Sequence, residues 1–143
     1  MTDLEIMELI LKRCYGMPYR WGGDDLLAGF DCSGFICELH RTFGMPPHTD
    51  TTAQGFFNYY RVMATLKARF GSLVFYGKSI IQITHVAFAL NDTMIFEFGG
   101  GGSLTLTLED AIRQNASGRI SPIDNRKDRV AIVNPGWPWN TVT

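Results

Sequence analysis

The stretch Gly29-Phe30-Asp31-Cys32-Ser33-Gly34-Phe35 places a cysteine between polar residues, with a glycine three positions before it and another two positions after it. The residues that follow it, up to His40, are largely apolar and suited to a helix. This order predicts a loop that ends in a helix, with Cys32 in the first helical turn. The positive end of the helix dipole lies there and favours the thiolate form of Cys32. Cys32 is therefore a candidate nucleophile, and the alternative is a buried structural cysteine.

The composition predicts one globular domain over residues 1–143. Hydrophobic residues make up 45% of the chain and aromatic residues 13%, which is enough for a buried core. The net charge of −1, without a basic stripe, argues against nucleic-acid binding. No apolar run is long enough to span a membrane, and residues 1–5 do not resemble a signal peptide. We therefore expect a soluble chain, made in the cytoplasm, that does not insert into a membrane.

The three cysteines, Cys14, Cys32 and Cys37, show no disulfide pattern. Their spacing relative to the histidines fits no zinc site. We therefore expect neither a metal nor a cofactor.

Predicted helices precede predicted strands, which is typical of an α+β fold. A short helix is also expected after Thr51 or Thr52, and Trp21 is expected to fill the core. Helices are expected over residues 3–14 and 108–116, and strands over 73–76, 80–90, 93–98, 119–123 and 129–133.

One of the three histidines has the features of a catalytic base. His40 lies more than two helical turns beyond Cys32 and is expected at the surface or its boundary, and His48 lies in a loop. His85 lies within a predicted strand, on the same face as Ala87 and Ala89. These small side chains leave room for another group to approach His85. The alternative is a hydrogen-bonded core histidine.

Glu97 interrupts the next apolar strand, where an unpaired carboxylate would be costly to bury. A hairpin with a three-residue loop over 90–92 pairs Ala89 with Thr93 and places His85 directly opposite Glu97. A two-residue loop would break this register. A carboxylate that accepts from one imidazole nitrogen leaves the other nitrogen basic. Cys32, His85 and Glu97 then form a papain-like set of nucleophile, base and orienting group.

Five segments, in chain order, resemble the NlpC-type cell-wall cysteine peptidases. The similarity covers residues from about 1 to 98, and the tail around 97–101 and 124–128 looks like phage-encoded members. The segments are PYRWGG (18–23), DCSGF (31–35), Gln54, GSLVF (71–75) and HVA (85–87).

The resemblance implies a papain-like fold that hydrolyses amide bonds in peptidoglycan stem peptides, often between D-glutamate and a diamino acid. It implies Cys32 as nucleophile, His85 as base and Glu97 as the third polar residue. Glu97 stands where the family usually has histidine, but a carboxylate is able to orient the base in the same way.

The resemblance also implies a site that binds the substrate and the oxyanion. Tyr19 matches a family tyrosine beside the thiol, and Asp31 and Ser33 flank the nucleophile. The backbone amide of Cys32 or Ser33 would stabilise the tetrahedral intermediate. Two departures from the family's sequence pattern bear on substrate preference. Ser72 replaces a family acidic residue, and the family arginine before Gln54 is absent.

The sequence therefore predicts a peptidoglycan endopeptidase, either a phage lysin that depends on a holin for release or an enzyme carried on a phage tail. The related alternative is an amidase of the CHAP kind, which cuts between muramic acid and L-alanine. Two further alternatives are a non-catalytic wall-binding or tail module and a toxin delivered between bacteria.

Overall fold

The computed structural model describes residues 1–25 and 29–140. The predicted α+β fold is confirmed, with three helices before the large sheet. No helix in the described ranges has both the length and the apolar character needed to cross a membrane. The helices are α1 (Asp3–Cys14), α2 (Cys32–Thr42), α3 (Ala53–Tyr60) and α4 (Leu108–Gln114). The strands are β1 (Asp24–Asp25), β2 (Gly29–Phe30), β3 (Leu73–Gly77), β4 (Ile83–Ala89), β5 (Met94–Gly99), β6 (Ser117–Pro122) and β7 (Arg129–Val133).

Five of these strands form one antiparallel sheet in the order β6-β5-β4-β3-β7. Strands β3 to β6 pair in chain order, and β7 returns to pair with β3. The two short strands β1 and β2 pair separately, just before α2. The strands that carry His85 and Glu97 are therefore direct neighbours inside the sheet.

Polar side chains in the sequence set the starts of the first three helices. The side-chain oxygens of Thr2, Asp31 and Thr52 each accept the backbone N–H three residues on, at 3.1, 2.6 and 3.0 Å. Such a cap is worth about 0.5–2 kcal/mol. Gly44 follows the end of α2 with a φ of +63°, a conformation that glycine adopts readily.

The main core lies between the first three helices and one face of the sheet. The ring of Phe35, on α2, lies 5.4 Å from that of Phe96 and 5.3 Å from that of Phe98. Burying each ring contributes about 1.5–3 kcal/mol, so this contact fixes where α2 lies on the sheet. Alternate residues on the other face form a second cluster with neighbouring segments, namely Ala68, Val74, Tyr76, Ala87, Ala89, Ile95, Ile123 and Ile132.

The C-terminal turn, Pro138–Asn140, follows a tryptophan that packs into the main core. Trp137 is fully buried and donates its indole N–H to the carbonyl oxygen of Gly71 at 2.6 Å. Its ring stacks on that of Trp139, with 5.3 Å between the centroids and 7° between the planes. Trp137 therefore ties the segment that leads into this turn to Gly71, just before β3.

Two expectations about burial are wrong. Trp21 is 51% exposed, because it lies in the turn after Tyr19 and it is Tyr19 that points into the core. His40 is only 1% exposed. Its Nδ1 lies 2.8 Å from the Ile36 carbonyl oxygen and its Nε2 lies 2.7 Å from the Tyr60 hydroxyl. Because both ring nitrogens have partners, His40 is accommodated in the core.

The predicted register of the β4–β5 hairpin is also wrong. Ala89 pairs with Ile95 and not with Thr93. The side-chain oxygen of Asn91 accepts the backbone N–H groups of Thr93 and Met94 at 2.9 and 2.8 Å, which keeps Thr93 in the loop. Since the shift is two residues, every side chain stays on its predicted face.

Candidate active site

Cys32 is the first residue of α2, as predicted, and is half-buried. The carboxylate of Asp31 fixes this helix start by accepting from the N–H groups of Gly34 at 2.6 Å and Gly22 at 3.0 Å. A Cβ at Gly34 would collide with the carbonyl oxygen of Gly23, so only glycine lets that loop lie against the helix. The residues around the thiol thus hold it at a helix start with little freedom.

A β-bulge lies beside the thiol. Tyr76 pairs with His85 and Gly77 with Ile83, which leaves Thr84 as the extra residue of β4. Bulges of this kind redirect the neighbouring side chains. The Sγ of Cys32 lies 4.0 Å from the carbonyl oxygen of Thr84, so the thiol contacts β4 next to His85.

The predicted contact between His85 and Glu97 is present. The Nε2 of His85 and the Oε1 of Glu97 are 2.7 Å apart, and both side chains are buried. Extending the observed register places Glu97 opposite Ala87. His85 and Glu97 are therefore diagonal neighbours on adjacent strands, a distance that long side chains are able to bridge. Because Nε2 is bonded to Glu97, Nδ1 is the ring nitrogen left for Cys32.

Ala87 and Ala89 have a different role from the one expected. We expected their small side chains to leave room for a group to approach His85. Both are instead buried in the second cluster, which includes Tyr76 and Ile95. The ring of Tyr76 lies 5.6 Å from that of His85 and occupies part of this space.

The charges of the site support one another. Burial lowers the pKa of His85, but hydrogen bonds with Cys32 and Glu97 and their negative charges outweigh burial and raise it to about 9. Burial raises the pKa of Glu97, but the hydrogen bond and charge of His85, with smaller contributions from Ser121 and Arg119, lower it to about 2. An imidazolium paired with a carboxylate is therefore the state at neutral pH.

Tyr19 lies close to Cys32 and Asp31. It is 5% exposed. Burial, and then the nearby charges of Cys32 and Asp31, raise the pKa of its hydroxyl well above the ordinary value. The hydroxyl therefore remains a neutral hydrogen-bond donor. Four consecutive glycines, residues 99–102, follow Phe98 and form a glycine run. A Cβ at Gly101 would lie 2.6 Å from the Tyr19 ring, so this run packs directly against the tyrosine.

A cleft of about 260 Å³ begins beside the start of α2. The N–H of Gly34 is bonded to the carboxylate of Asp31, and the N–H of Phe35 to its carbonyl oxygen at 3.3 Å. The N–H groups of Cys32 and Ser33 belong to the first turn, which has no partners within the helix. The cleft is lined by Gly22, Gly23, Asp31, Ser33, Gly34, Cys37, Asp50, Thr51 and Thr52.

Three residues that support the site were missed by the sequence analysis or left without a role. Arg119 and Ser121 of β6 contact Glu97, and a buried carboxylate in a strand was the signal that a cation lies nearby. Gln54 donates to the Ile80 carbonyl oxygen and accepts from the Ile83 N–H, both at 2.8 Å. It thus holds the turn that precedes β4, which begins at Ile83 and not at residue 80.

His48 and Ser72, which the sequence analysis also considered, lie outside the group formed by Cys32, His85 and Glu97. His48 is exposed in the loop between α2 and α3. Ser72 is buried and donates to the Asn134 side-chain oxygen at 2.6 Å, which gives it a structural role. Within residues 1–25 and 29–140, no three side chains from His, Cys, Asp and Glu are grouped as a metal site would require.

Comparison with known proteins identifies the family. The NlpC/P60 family profile matches residues 16–118. The bifunctional muramidase/DL-endopeptidase CwlT of Bacillus subtilis is 29% identical over 105 residues, which cover 70% of this chain and 31% of CwlT. The chain thus spans about a third of that relative.

Two solved structures share the fold. An NlpC/P60 family protein from Bacillus cereus matches with a TM-score of 0.71 and 20% identity, over 94% of this chain and 40% of that protein. RipD of Mycobacterium tuberculosis, described as a non-catalytic NlpC/p60 domain protein adapted to peptidoglycan binding, matches with a TM-score of 0.66 and 18% identity, over 94% of this chain and 98% of RipD. Because the family profile also covers the segments that carry Cys32, His85 and Glu97, the chain belongs to the NlpC/P60 family.

Proposed function

We propose that this chain is a cysteine peptidase that hydrolyses amide bonds in the stem peptides of bacterial peptidoglycan. The main support is the contact of His85 with Glu97, beside a cysteine at a helix start. Nucleophile, base and orienting group are the three roles that thiol-dependent amide hydrolysis needs.

The proposed reaction has two steps. The Cys32 thiolate attacks the carbonyl carbon, and the resulting tetrahedral intermediate expels the amine, which takes a proton from the Nδ1 of His85. A water molecule then gives a proton to His85 and attacks the thioester, which releases the carboxylic acid and restores the Cys32 thiolate beside the His85 imidazolium. Glu97 keeps the ring in place through Nε2 in both steps.

The cleft beside α2 is the proposed place for the peptide. The N–H groups of Cys32 and Ser33 and the hydroxyl of Tyr19 would stabilise the negative oxygen of the intermediate. Asp31 and Ser33 form part of the wall that contacts the substrate. CwlT is described as a DL-endopeptidase, which supports a bond between D-glutamate and a diamino acid as the one cut.

The test is digestion of purified peptidoglycan, followed by mass spectrometry of the new amino termini. We expect a diamino acid terminus with wild type and at least a roughly 10⁴-fold lower rate with Cys32→Ala. Cys14→Ala, which removes a buried thiol at the end of α1, is the matched control and is expected to stay active.

Other outcomes identify the rival functions. An L-alanine terminus would indicate an amidase of the CHAP kind. Binding to peptidoglycan that is unchanged in Cys32→Ala, without cleavage by either protein, would indicate a binding module like RipD.

For delivery, we propose a phage lysin or a virion-borne enzyme, supported by the resemblance of residues 97–101 and 124–128 to phage-encoded members. Expression in bacteria with and without a holin tests this proposal. Lysis that requires the holin is expected of a lysin. Killing only after transfer from neighbouring cells would indicate a toxin instead.

A further inference from the structure

We propose that Arg119 is a positioning residue, which holds the Glu97 carboxylate against His85 and so maintains the charged pair beside Cys32. This inference rests on the peptidase function proposed above. Arg119 acts through Glu97 and does not itself contact the reacting atoms.

The strand register places Arg119 directly opposite Glu97 on neighbouring strands β6 and β5. The two oxygens of the carboxylate have different partners: Oε1 lies 2.7 Å from the Nε2 of His85, and Oε2 lies 3.4 Å from the Nε of Arg119. The side chain of Ser121 adds a further hydrogen bond to Glu97. A carboxylate held from both sides has one orientation, and that orientation presents Oε1 to His85.

Because Glu97 is buried, its carboxylate needs a cation such as Arg119 beside it. Glu97 is 2% exposed, and a carboxylate without a cation would be strongly disfavoured there. His85 supplies a positive charge only while it is protonated, and it gives up that proton during the proposed reaction. The guanidinium of Arg119 keeps its charge at every step, so Glu97 stays ionised when His85 is neutral.

The glycine run next to Glu97 makes room for the guanidinium. A Cβ at Gly99 would lie 2.9 Å from the Nη2 of Arg119, and a Cβ at Gly100 would lie 2.9 Å from its Nη1. Arg119 thus lies against a backbone that carries no side chains. This contact gives a physical reason for glycine at position 99, and at position 100 it adds to a φ of +82° and to the carbonyl oxygen of Asn115, 2.7 Å from where a Cβ would lie.

Other charged groups around the pair have partners of their own. Arg126 acts on Glu97 through its charge, but it forms a two-point ion pair with Asp128 at 2.9 and 2.7 Å. Tyr76, which also faces Glu97, is neutral because burial and the Glu97 charge raise the pKa of its hydroxyl. Among the described residues, Glu97 is the only carboxylate within ion-pair distance of Arg119.

The experiment compares Arg119→Met and Arg119→Lys in the full chain. The control is Arg113→Met, which removes an exposed arginine bonded to Asp110 on α4. The first readout is kcat and KM on peptidoglycan stem peptides. The second is the pH dependence of iodoacetamide alkylation at Cys32, followed by mass spectrometry of its peptide, which needs no substrate.

For Arg119→Met we expect kcat to fall about tenfold to a hundredfold, the effect of a displaced catalytic group, with KM unchanged. The pH of half-maximal alkylation should move upward, because His85 is held less well and its positive charge then stabilises the thiolate less. Arg119→Lys should recover part of both effects, and Arg113→Met should match wild type.

If Arg119→Met does not fold, Gly99→Ala disturbs the ion pair instead, because its Cβ would lie 2.9 Å from the Nη2 of Arg119 and 3.1 Å from the Oε2 of Glu97. Gly102→Ala is the control, since a Cβ at Gly102 meets nothing within 4 Å. Wild-type kcat and alkylation in both test variants would overturn the proposal. A loss of stability and kcat with an unchanged alkylation curve would also overturn it, since that indicates a merely structural role. An alkylation curve that moves as expected, in a chain whose wild type cuts no peptidoglycan, would reject the peptidase function alone.

Discussion

Glu97 gives His85 a fully charged partner at the position where NlpC-type peptidases usually have a histidine. A neutral imidazole orients the base through a hydrogen bond, whereas a carboxylate also attracts the proton through its charge. Burial lowers the pKa of His85, but Cys32 and Glu97 together raise it to about 9 through hydrogen bonds and charge. We therefore expect Glu97 to affect the pH range of the proposed peptidase activity.

Replacing Glu97 by Gln keeps an acceptor oxygen but removes the charge. We expect the pKa of His85 to fall from about 9, so the alkaline limb of the kcat profile should move to lower pH. At pH 7, kcat should fall about 10²-fold, the lower end of what a positioned acid or base contributes. Hydrolysis rates between pH 5 and 10 measure this, with Glu109→Gln on α4 as control. An alkaline limb that stays in place would contradict the role given to the charge.

The role of Asp31 in capping is separable from its proposed role in binding. Asp31→Ala should lower the free energy of unfolding by about 0.5–2 kcal/mol, because the Gly34 N–H loses its acceptor. Asp31→Asn keeps an acceptor oxygen and should restore most of that stability. KM should rise in both variants if the carboxylate contacts the peptide. Urea denaturation and steady-state kinetics test the two roles, and a stable Asp31→Ala protein would exclude the first.

The helices and strands were largely predictable, because caps and alternating residues act locally. Thr2 and Thr52 cap helices that begin where the sequence predicted a helix start. The register of the β4–β5 hairpin was not predictable in the same way, since it depends on how the Asn91 side chain folds back on the loop. The two-residue error left His85 and Glu97 on one face, so the predicted contact survived it.

The side chain of Gln54 links α3 to the turn before β4. Gln54 forms two hydrogen bonds with the turn before β4, so Gln54→Ala should cost about 1–3 kcal/mol of unfolding free energy. It should also lower kcat, since Thr84 and His85 follow this turn. Asn58→Ala, which removes a side-chain oxygen that accepts from Gln54 on the exposed side of α3, is the control. Equal stability of the two variants would contradict this role.

Contacts between segments that are distant along the chain could not be predicted from the sequence. Arg119 lies 22 residues after Glu97 and is separated from it by α4, so no local pattern indicates that the two residues pair. The same holds for His40, whose burial depends on the Tyr60 hydroxyl of another helix. The candidate nucleophile Cys32 and candidate base His85 could be proposed from the sequence because the residues next to each of them suggest their chemistry.

The stability of the whole molecule should be greatest near pH 6.5. The pKa of His40 is lowered by burial from 6.5 to about 4, so the unfolded chain binds its proton first and stability falls as the pH drops below 6.5. The pKa of Glu97 is lowered from 4.5 to about 2, so stability falls further as the pH drops from 4.5 to 2. The pKa of His85 is raised from 6.5 to about 9, so its contribution is complete below 6.5 and is lost as the pH rises through 9.

Urea denaturation at fixed temperature between pH 3 and 10 checks this prediction. We expect the alkaline decline to be smaller in Glu97→Gln, because that variant lacks the charge that raises the pKa of His85. Stability that continues to increase above pH 7 in wild type would contradict the charged pair.

The stacked indoles of Trp137 and Trp139 give the chain an optical reporter. Their rings are nearly parallel at 5.3 Å, so their electronic transitions should couple and produce a paired circular dichroism band. Trp21, which is exposed in the turn beside the start of α2, lies outside this pair and should dominate fluorescence quenching by solutes. The two signals would allow the docking of the C-terminal turn and events near Cys32 to be followed separately in one unlabelled protein.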